Sequence, residues 1–346
     1  MASTYYVSAA TGNDSDTGLT EALAWLTVDK AMNTVATGDK VWVKADGNYA
    51  ELATIDTVGT TTAPIVFEGY TTTTGDGGRA TITGSSARAN CVVNNAALTT
   101  AAYYVFKNFQ FTAATAEGVK MGSSSVYTFK NCKFDNNGTR GLSAKLVRCE
   151  ECEFSSNTTE GCIVPSSKGC FIGCSFYSNK GAGLFFDGGL GVVLFSVFFS
   201  NAGNAIEGGG DNDLFIVVGC TVDGDSKNTD DGLTINSASS LPVVVNNAFY
   251  DCTTGINSAG DRGELVLSRN NLVNANTTAY VNVATFTGEI TSAPQFTNEV
   301  GGADYHPDTG SPLRDAGFDR GASMDIGAVQ SVAGAASNVF KLRIGV

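Results

Sequence analysis

Charged residues are scarce in this chain of 346 residues, because Asp, Glu, Lys and Arg together make up 16% of it, whereas about 25% is usual for soluble domains. Positive charge is the scarcer sign, with 21 Lys and Arg against 34 Asp and Glu. The resulting net charge of −13 excludes an ordinary nucleic-acid-binding protein, which needs a basic surface. Sparse charge also argues against a helical protein, because exposed helix faces are usually rich in polar and charged residues.

Long apolar runs are also absent. No window of 18 or more apolar residues occurs, so no transmembrane helix is predicted and no membrane partner is expected. The first residues, MASTYYVS, lack the basic and apolar regions of a secretory signal peptide. We therefore expect synthesis in the cytoplasm without a signal peptide. The content of 42% hydrophobic residues and 41 glycines indicates a large core and many turns, and it favours a β-rich protein.

Histidine is almost missing, since His306 is the single copy. Cys149 and Cys152 form a CxxC motif, but neither a second CxxC nor a nearby histidine completes a zinc site. The nine cysteines have two interpretations. Buried free thiols that act as compact apolar side chains are the favoured one. Disulfides between stacked cysteines are the alternative, which the preferred Cβ separation of about 3.8 Å makes difficult.

One short pattern recurs through the middle of the chain: an apolar residue, two residues, a small residue or Cys, one residue, and an aromatic or aliphatic residue. Two copies are FKNFQF at 106–111 and FKNCKF at 129–134. The last positions of the eight copies are Phe111, Phe134, Phe154, Phe176, Phe198, Val222, Phe249 and Leu272. Successive copies lie 20 to 27 residues apart, and such a repeat predicts one solenoid turn per copy.

A sharp corner is predicted inside each copy of this pattern. The last two apolar positions are two residues apart, as on one face of a strand, but the first lies three residues earlier and breaks the alternation. The residue just before the middle position tolerates positive φ in five copies, which are Asn108, Asn131, Gly173, Gly219 and Asn246. Two strands joined at a left-handed residue are typical of the corner of a parallel β-helix.

Stacked coils place equivalent residues above one another, about 4.8 Å apart. The pattern predicts an interior row of aromatic rings and beside it a row of small residues, which are Cys132, Cys152, Cys174, Ser196 and Cys220. A third row is predicted to point outward and to form a ladder of side-chain amides; its members are Asn137, Asn157, Asn179 and Asn201.

Four regions are predicted along the chain: an N-terminal cap at 1–50, coils at 51–290, a closing segment at 291–330 and a C-terminal tail at 331–346. The cap includes a short helix over 26–35 with Thr27 as its N-cap. A cap is expected because an open solenoid end would otherwise pair with another chain.

Motifs near both ends resemble the pectate-lyase-like, right-handed parallel β-helix proteins. They are YYVS at 5–8, GDKVWV at 38–43, GNY at 47–49, GSPLRDAG at 310–317 and DIGA at 325–328. The resemblance implies an all-β, single-stranded right-handed parallel β-helix of about ten coils. It does not imply one activity, because that superfamily holds lyases, hydrolases, epimerases, adhesins and phage spikes.

The acidic residues of the coils are the candidates for catalysis. The sequence NTD at 228–230 resembles a motif of galacturonase-type hydrolases in that superfamily, but no histidine lies in the coils and no RxK motif matches. Asp230 and Asp231 also occupy a turn before a repeat glycine, which is a purely structural alternative. The candidate catalytic residues are Asp187, Glu207, Asp230 and Asp231.

No cofactor is expected, apart from a calcium ion that Asp211 and Asp213 are candidates to bind, since Ca²⁺ prefers carboxylate oxygens. Plain solvated surface charges are the alternative for all of these acidic residues.

The favoured functional hypothesis is a non-enzymatic surface protein, most plausibly a phage virion component such as a spike, fibre or decoration protein, released by lysis. The tail is predicted to dock on another virion or surface protein as an added strand, through Val339, Phe340, Leu342 and Ile344. An end-capping strand on the same chain is the alternative for the tail. A homotrimer is implied by the resemblance alone.

Two alternative functions stay open. The first is a polysaccharide lyase or glycoside hydrolase acting on an acidic glycan, although the acidic chain would repel a polyanion unless Ca²⁺ bridges them. The second is an adhesin that binds a cell-surface glycan through exposed aromatic residues such as Tyr177 and Phe199.

Overall fold

A computed structural model describes residues 2–96, 98, 101–209, 214–225, 230–236, 241–258, 267–269, 271–274, 276–282, 290–298 and 304–314. The strands of the first half are β1 (Thr4–Ser8), β2 (Lys40–Lys44), β3 (Asn48–Tyr49), β4 (Ala53–Ile55), β5 (Ile65–Tyr70), β6 (Ala80–Thr83), β7 (Val92–Asn94), β8 (Tyr103–Lys107), β9 (Phe109–Thr112), β10 (Val119–Lys130), β11 (Lys133–Asp135), β12 (Leu142–Glu150), β13 (Glu153–Ser155), β14 (Cys162–Ile172) and β15 (Ser175–Tyr177).

The remaining strands are β16 (Leu184–Leu194), β17 (Val197–Phe199), β18 (Ile206–Gly209), β19 (Leu214–Val218), β20 (Thr221–Asp223), β21 (Asp231–Ile235), β22 (Leu241–Val245), β23 (Ala248–Tyr250), β24 (Thr254–Ser258), β25 (Leu267–Arg269), β26 (Leu272–Asn274), β27 (Thr278–Val281), β28 (Phe296–Asn298) and β29 (Asp304–Pro307). A helix, α1 (Val28–Thr34), and a 3-10 helix, Glu21–Leu23, lie near the N-terminus. Within the described residues, no helix has the length and apolar character needed to cross a bilayer.

The strands wind into an all-β, right-handed parallel solenoid of about nine turns, which confirms the predicted fold class. Its walls are a 17-stranded and a ten-stranded parallel sheet. The larger sheet turns a corner, because the first part of β16 pairs with β18 and its second part with β19. The solenoid therefore has three faces.

Face 1 consists of β4, β7, the first parts of β10, β12, β14 and β16, and β18, β21, β24 and β27. Face 2 consists of β1, β2, β5, β8, the second parts of the same long strands, and β19, β22 and β25. Face 3 is the ten-stranded sheet from β3 to β26.

The predicted corner between faces 2 and 3 is confirmed. All five residues that the pattern placed there have positive φ: Asn108 (59°), Asn131 (50°), Gly173 (62°), Gly219 (63°) and Asn246 (58°). Glu151 and Phe195 adopt the same conformation at 55° and 50° in the coils between them. The backbone must turn left-handed at this point, so even a residue that disfavours this conformation accepts it.

The predicted interior rows are also present. Stacked rings of Phe154 and Phe176 have centroids 4.6 Å apart and planes 4° apart, and Phe176 and Phe198 are 4.7 Å apart. All nine cysteines are free thiols, and eight of them are buried. The cysteines thus fill the core as compact apolar groups, and the disulfide alternative is wrong.

The asparagine ladder forms, but the prediction that it points outward is wrong. The Asn157 amide donates to Asn179 Oδ1 at 2.9 Å and to the Phe134 carbonyl at 3.1 Å, and it accepts from the Asn137 amide at 3.0 Å. Asn157 is completely buried. These amides satisfy backbone groups at the corner between faces 3 and 1, where an outward side chain would leave them without partners.

The N-terminal helix confirms its predicted cap, since the Thr27 hydroxyl accepts from the Lys30 N–H at 3.1 Å. Its first two N–H groups, of Val28 and Asp29, donate to the Glu51 carboxylate at 2.9 and 3.0 Å. A carboxylate at this position is favourable because the helix N-terminus carries partial positive charge.

The closing segment folds back on the outer side of face 3. Strands β28 and β29 form an antiparallel pair. Tyr305 and Leu313 of this segment pack against the outward side chains of Ala248, Tyr250 and Leu272. The Tyr305 hydroxyl also donates to Asp223 at 2.8 Å. The C-terminal half of face 3 is thus covered, and its N-terminal half stays open.

Candidate active site

Glu207 and Asp231, two of the predicted catalytic residues, lie on face 1 in adjacent coils. Glu207 is the second residue of β18 and points outward, between the inward residues Ile206 and Gly208. Its register partner in the next coil is Thr234 of β21. Asp231 begins that strand. Both carboxylates are partly exposed, so a ligand on face 1 can reach them.

Two asparagine side chains hold the Glu207 carboxylate. The Asn204 amide donates to Glu207 Oε2 at 3.1 Å, and the Asn236 amide donates to Oε1 at 3.0 Å. The carboxylate therefore spans from Asn204 in its own coil to Asn236 in the next one. Each carboxylate oxygen has one amide donor and keeps a lone pair for a ligand.

The Asp231 side chain is held from its own strand and from the following coil. Its Oδ2 accepts from the Thr234 hydroxyl at 2.8 Å and from the Asn257 amide at 2.8 Å. Its backbone N–H donates to Asn204 Oδ1 at 3.2 Å, so Asn204 contacts both acidic residues. Asn204 thus links the two acidic residues, while the Asp231 carboxylate is held by Thr234 and by Asn257 of the following coil.

Glu207 and Asp231 lie in adjacent coils, which are about 4.8 Å apart, and Asp231 stands three positions before Thr234, the register partner of Glu207. Glycoside hydrolases use carboxyl pairs about 5 to 9.5 Å apart. The cluster offers two carboxyl groups on one face of the solenoid, with three amides and one hydroxyl around them.

Asp187 and Asp230 lie near this cluster without joining its hydrogen bonds. Asp187 of β16 is exposed, and its register partner is Gly209 in the next coil. The Phe185 ring covers that glycine so closely that a Cβ there would lie 2.7 Å from it. Asp230 is exposed, and its backbone carbonyl accepts from the Thr254 N–H at 2.9 Å.

Within the described residues, no three His, Cys, Asp or Glu side chains converge as a metal site. The calcium candidates Asp211 and Asp213 lie outside those residues, so calcium binding stays a prediction. The tail residues Val339, Phe340, Leu342 and Ile344 also lie outside them. Tyr177 and Phe199 are on face 3, at a different side of the solenoid.

The amides and the hydroxyl of the cluster were missed from the sequence. Glu207, Thr234 and Asn257 form one outward row, with intervals of 27 and 23 residues. The interior row has intervals of the same size. Aligning the outward positions of successive repeats in the same way would therefore have identified Thr234 and Asn257. Asn204 gives no such signal, because its role depends on its contacts with the Glu207 side chain and the Asp231 N–H.

The family model described as right handed beta helix region matches residues 92–228 and 147–293. No curated protein sequence matches the chain. The fold is similar to that of the pectate lyase Pel9A, with a TM-score of 0.60 and 15% identity over 95% of this chain and 96% of that one.

A second similar structure is that of XylC in complex with xylose, with a TM-score of 0.55 and 10% identity over 83% of this chain and 67% of that one. At such identities these similarities show the fold alone.

Proposed function

The chain belongs to the right-handed β-helix family, and from that premise we propose that it is a polysaccharide-cleaving enzyme with Glu207 and Asp231 as its paired carboxylates. The observation that carries this proposal is the placement of two carboxylates in adjacent coils of face 1, linked by Asn204 and each held by amide donors. A solvated surface charge needs no such support, whereas a catalytic carboxylate must be held in a defined geometry.

The proposed reaction is hydrolysis of a glycosidic bond. One carboxylic acid donates its proton to the glycosidic oxygen as the bond from that oxygen to C1 breaks. The other carboxylate either removes a proton from the water that attacks C1, or attacks C1 itself and is released by water in a second step. Both routes use one water molecule. In the two-step route the acid regains its proton from that water, and in the direct route the proton moves to the other carboxylate and the pair is reset by proton exchange with solvent.

Hydrolysis suits this cluster better than β-elimination. Elimination from a uronic acid needs a positive group to neutralise the sugar carboxylate. In the part of the chain that the structure describes, no Lys or Arg forms an ion pair with Glu207 or Asp231. A net charge of −13 would also repel a polyanionic chain. We therefore take an uncharged glycan as the substrate class.

The virion hypothesis has weaker support. Neither the family match nor the two structural similarities indicate a phage protein or a homotrimer, and they fit the enzymatic alternative better. A virion role rests on the sequence arguments alone.

The proposal is tested by incubating the protein with a panel of neutral and acidic polysaccharides and measuring new reducing ends and the absorbance of unsaturated products. We expect reducing ends without unsaturated products. Glu207→Gln and Asp231→Asn should each lower the rate about 100-fold or more, as is usual for loss of a general acid or base.

Glu160→Gln is the matched control. Glu160 precedes a repeat glycine, as Asp231 does, but it pairs with Arg140 at 2.7 Å. This variant should keep full activity. Unsaturated products would contradict hydrolysis, and equal rates in the wild type and in both site variants would remove the carboxylate pair from the mechanism.

A further inference from the structure

The open N-terminal half of face 3 contains a groove of about 500 Å³. Its lining includes Arg79, Asn131, Glu151, Glu153, Tyr177 and Phe199. The groove is separate from the carboxylate cluster, which lies on face 1 beyond the corner built by the asparagine ladder. One wall is aromatic and the other is charged, a combination typical of small-molecule sites with an apolar surface and a few placed polar groups.

The aromatic wall is a stack of two rings from adjacent coils. Tyr177 and Phe199 are register partners on β15 and β17, with ring centroids 4.7 Å apart and planes 5° apart. On the far side, Phe199 contacts Tyr305 of the closing segment, at 6.2 Å between ring centroids. The closing segment therefore supports one end of the stack and leaves the Tyr177 end open to the groove.

The charged wall is fixed by hydrogen bonds before any ligand arrives. Glu153 accepts from the Lys133 ammonium at 2.7 Å and from the Tyr177 hydroxyl. Burial disfavours the charged form of Lys133, but the hydrogen bond and the charge of Glu153 outweigh it and raise the pKa of the ammonium. Burial and the same carboxylate raise the pKa of the Tyr177 phenol. At neutral pH the wall therefore presents a carboxylate, paired with the Lys133 ammonium, and an uncharged phenol.

Arg79 completes the polar edge. Its guanidinium donates to the Asn131 side-chain oxygen at 3.0 Å and to the Asn131 carbonyl at 3.4 Å. Among the described residues, no carboxylate lies within ion-pair distance of it. Both contacts come from one terminal nitrogen, so further N–H donors of this planar group remain for a ligand.

We propose that this groove is a second binding site, for an uncharged oligosaccharide. A pyranose ring is flat, with C–H groups on its faces and hydroxyls at its edge. Its face fits the face of the Tyr177 ring that Phe199 does not cover, and its hydroxyls can donate to Glu153 and accept from Arg79. Stacked aromatic rings suit such a ligand because they are rigid and bury area at a small entropic cost.

Charge balance selects an uncharged ligand. The positive charges of Arg79 and Lys133 stand beside the negative charges of Glu151, Glu153 and Asp135, so the groove offers no net attraction to a polyanion. Such fixed charges act as strong hydrogen-bond donors and acceptors towards neutral hydroxyls. The site does not require that the cluster on face 1 be catalytic. If both proposals hold, one long polymer can engage two faces, and its binding gains from the linkage.

Binding is measured by calorimetry on the full chain carrying Glu207→Gln and Asp231→Asn, so that cleavage cannot interfere. The probes are hexasaccharides of xylose, glucose, mannose and galacturonic acid. We expect a neutral probe to bind, with affinity falling at least tenfold on Tyr177→Ala and on Arg79→Gln. Tyr177→Phe, which keeps the aromatic surface, should lose less than Tyr177→Ala. Tyr103→Ala, an outward tyrosine on face 2, should bind as the parent does.

Several results would overturn the proposal. One is that no neutral probe binds the parent at millimolar concentration, and another is that Tyr177→Ala and Arg79→Gln both bind unchanged. Tighter binding of the galacturonic acid probe would refute the ligand class. Sedimentation that shows a dimer lost on Tyr177→Ala would assign the groove to a second copy of the chain. Cleavage by the wild-type protein is scored separately, so failure of one proposal does not mask failure of the other.

Discussion

Asn204 bridges the two carboxylate-bearing coils, because its amide donates to Glu207 at 3.1 Å while its carbonyl oxygen accepts from the Asp231 N–H at 3.2 Å. The same side chain thus sets the direction of the glutamate and the position of the aspartate. If the pair cleaves glycosidic bonds, Asn204 acts as a positioning residue.

We expect Asn204→Ala to lower kcat about tenfold or more with a smaller change in KM. A misplaced carboxylate reduces the stabilisation of the transition state more than that of the substrate complex. Steady-state kinetics on the cleaved polysaccharide measures both constants. Asn48→Ala, at an exposed strand position far from the site, is the control. A rise in KM alone would show that Asn204 binds substrate rather than orienting Glu207.

The buried asparagine ladder should contribute strongly to stability. Asn157→Ala removes a completely buried side chain that donates to Asn179 and Phe134 and accepts from Asn137. Each buried partner left without a hydrogen bond costs about 1 to 3 kcal/mol. We expect the free energy of unfolding to fall by about 3 kcal/mol or more in urea denaturation, whereas Asn48→Ala should change it by less than about 0.5 kcal/mol. Equal midpoints for the two variants would refute this role.

The thiols should be unreactive while the chain is folded. Burial raises the pKa of Cys149 to about 11 and that of Cys220 to about 12, and the thiolate is the reactive form. Cys170 alone is partly exposed. At pH 8 we expect a thiol reagent to modify one cysteine in the native protein and nine after denaturation. Cys170→Ser should remove the native reaction, and modification of two or more native thiols would contradict the buried rows.

The raised pKa values of the buried thiols also predict a loss of stability at alkaline pH. Unfolded thiols lose their protons near pH 8.5, whereas the buried Cys220 holds its proton until about pH 12. Between these values the unfolded chain binds fewer protons than the folded one, so the free energy of unfolding falls as the pH rises. The contribution is complete below about pH 8.5 and is lost on the way to pH 12.

Cys220→Ser tests this dependence, since Ser196 already occupies the equivalent position one coil earlier and is buried. The slope of the free energy of unfolding against pH should become less steep by up to about 1.4 kcal/mol per pH unit in this window. Parallel slopes for the wild type and the variant would show that Cys220 does not titrate on unfolding.

Local chemistry explains which parts of the fold could be predicted. Asn108 and Asn131 tolerate positive φ, so the corners follow from residue type and spacing. The ladder row was recognised, but Asn157 was placed outward because polar side chains usually face water. It turns inward because the Phe134 carbonyl needs a donor there. That need comes from the backbone path, which residue types do not reveal.

The candidate sites depend on longer-range geometry. Glu207 and Asp231 were recognised as acidic candidates, but their link depends on the register between two coils and on the side chain of Asn204. The groove beside Tyr177 depends on where the closing segment stops on face 3. Tyr305 contacts Phe199 from more than a hundred positions away along the chain, and no local pattern reports such a contact.

The stacking of equivalent residues also makes the molecule modular in length. Asn157 and Asn179 are 22 residues apart and make the same contacts in successive coils, so either coil is interchangeable with its neighbour as a building unit. Gain or loss of one such unit would move the two ends of the solenoid by about 4.8 Å and leave each end unchanged. The number of coils therefore sets the distance between the N-terminus and the carboxylate pair.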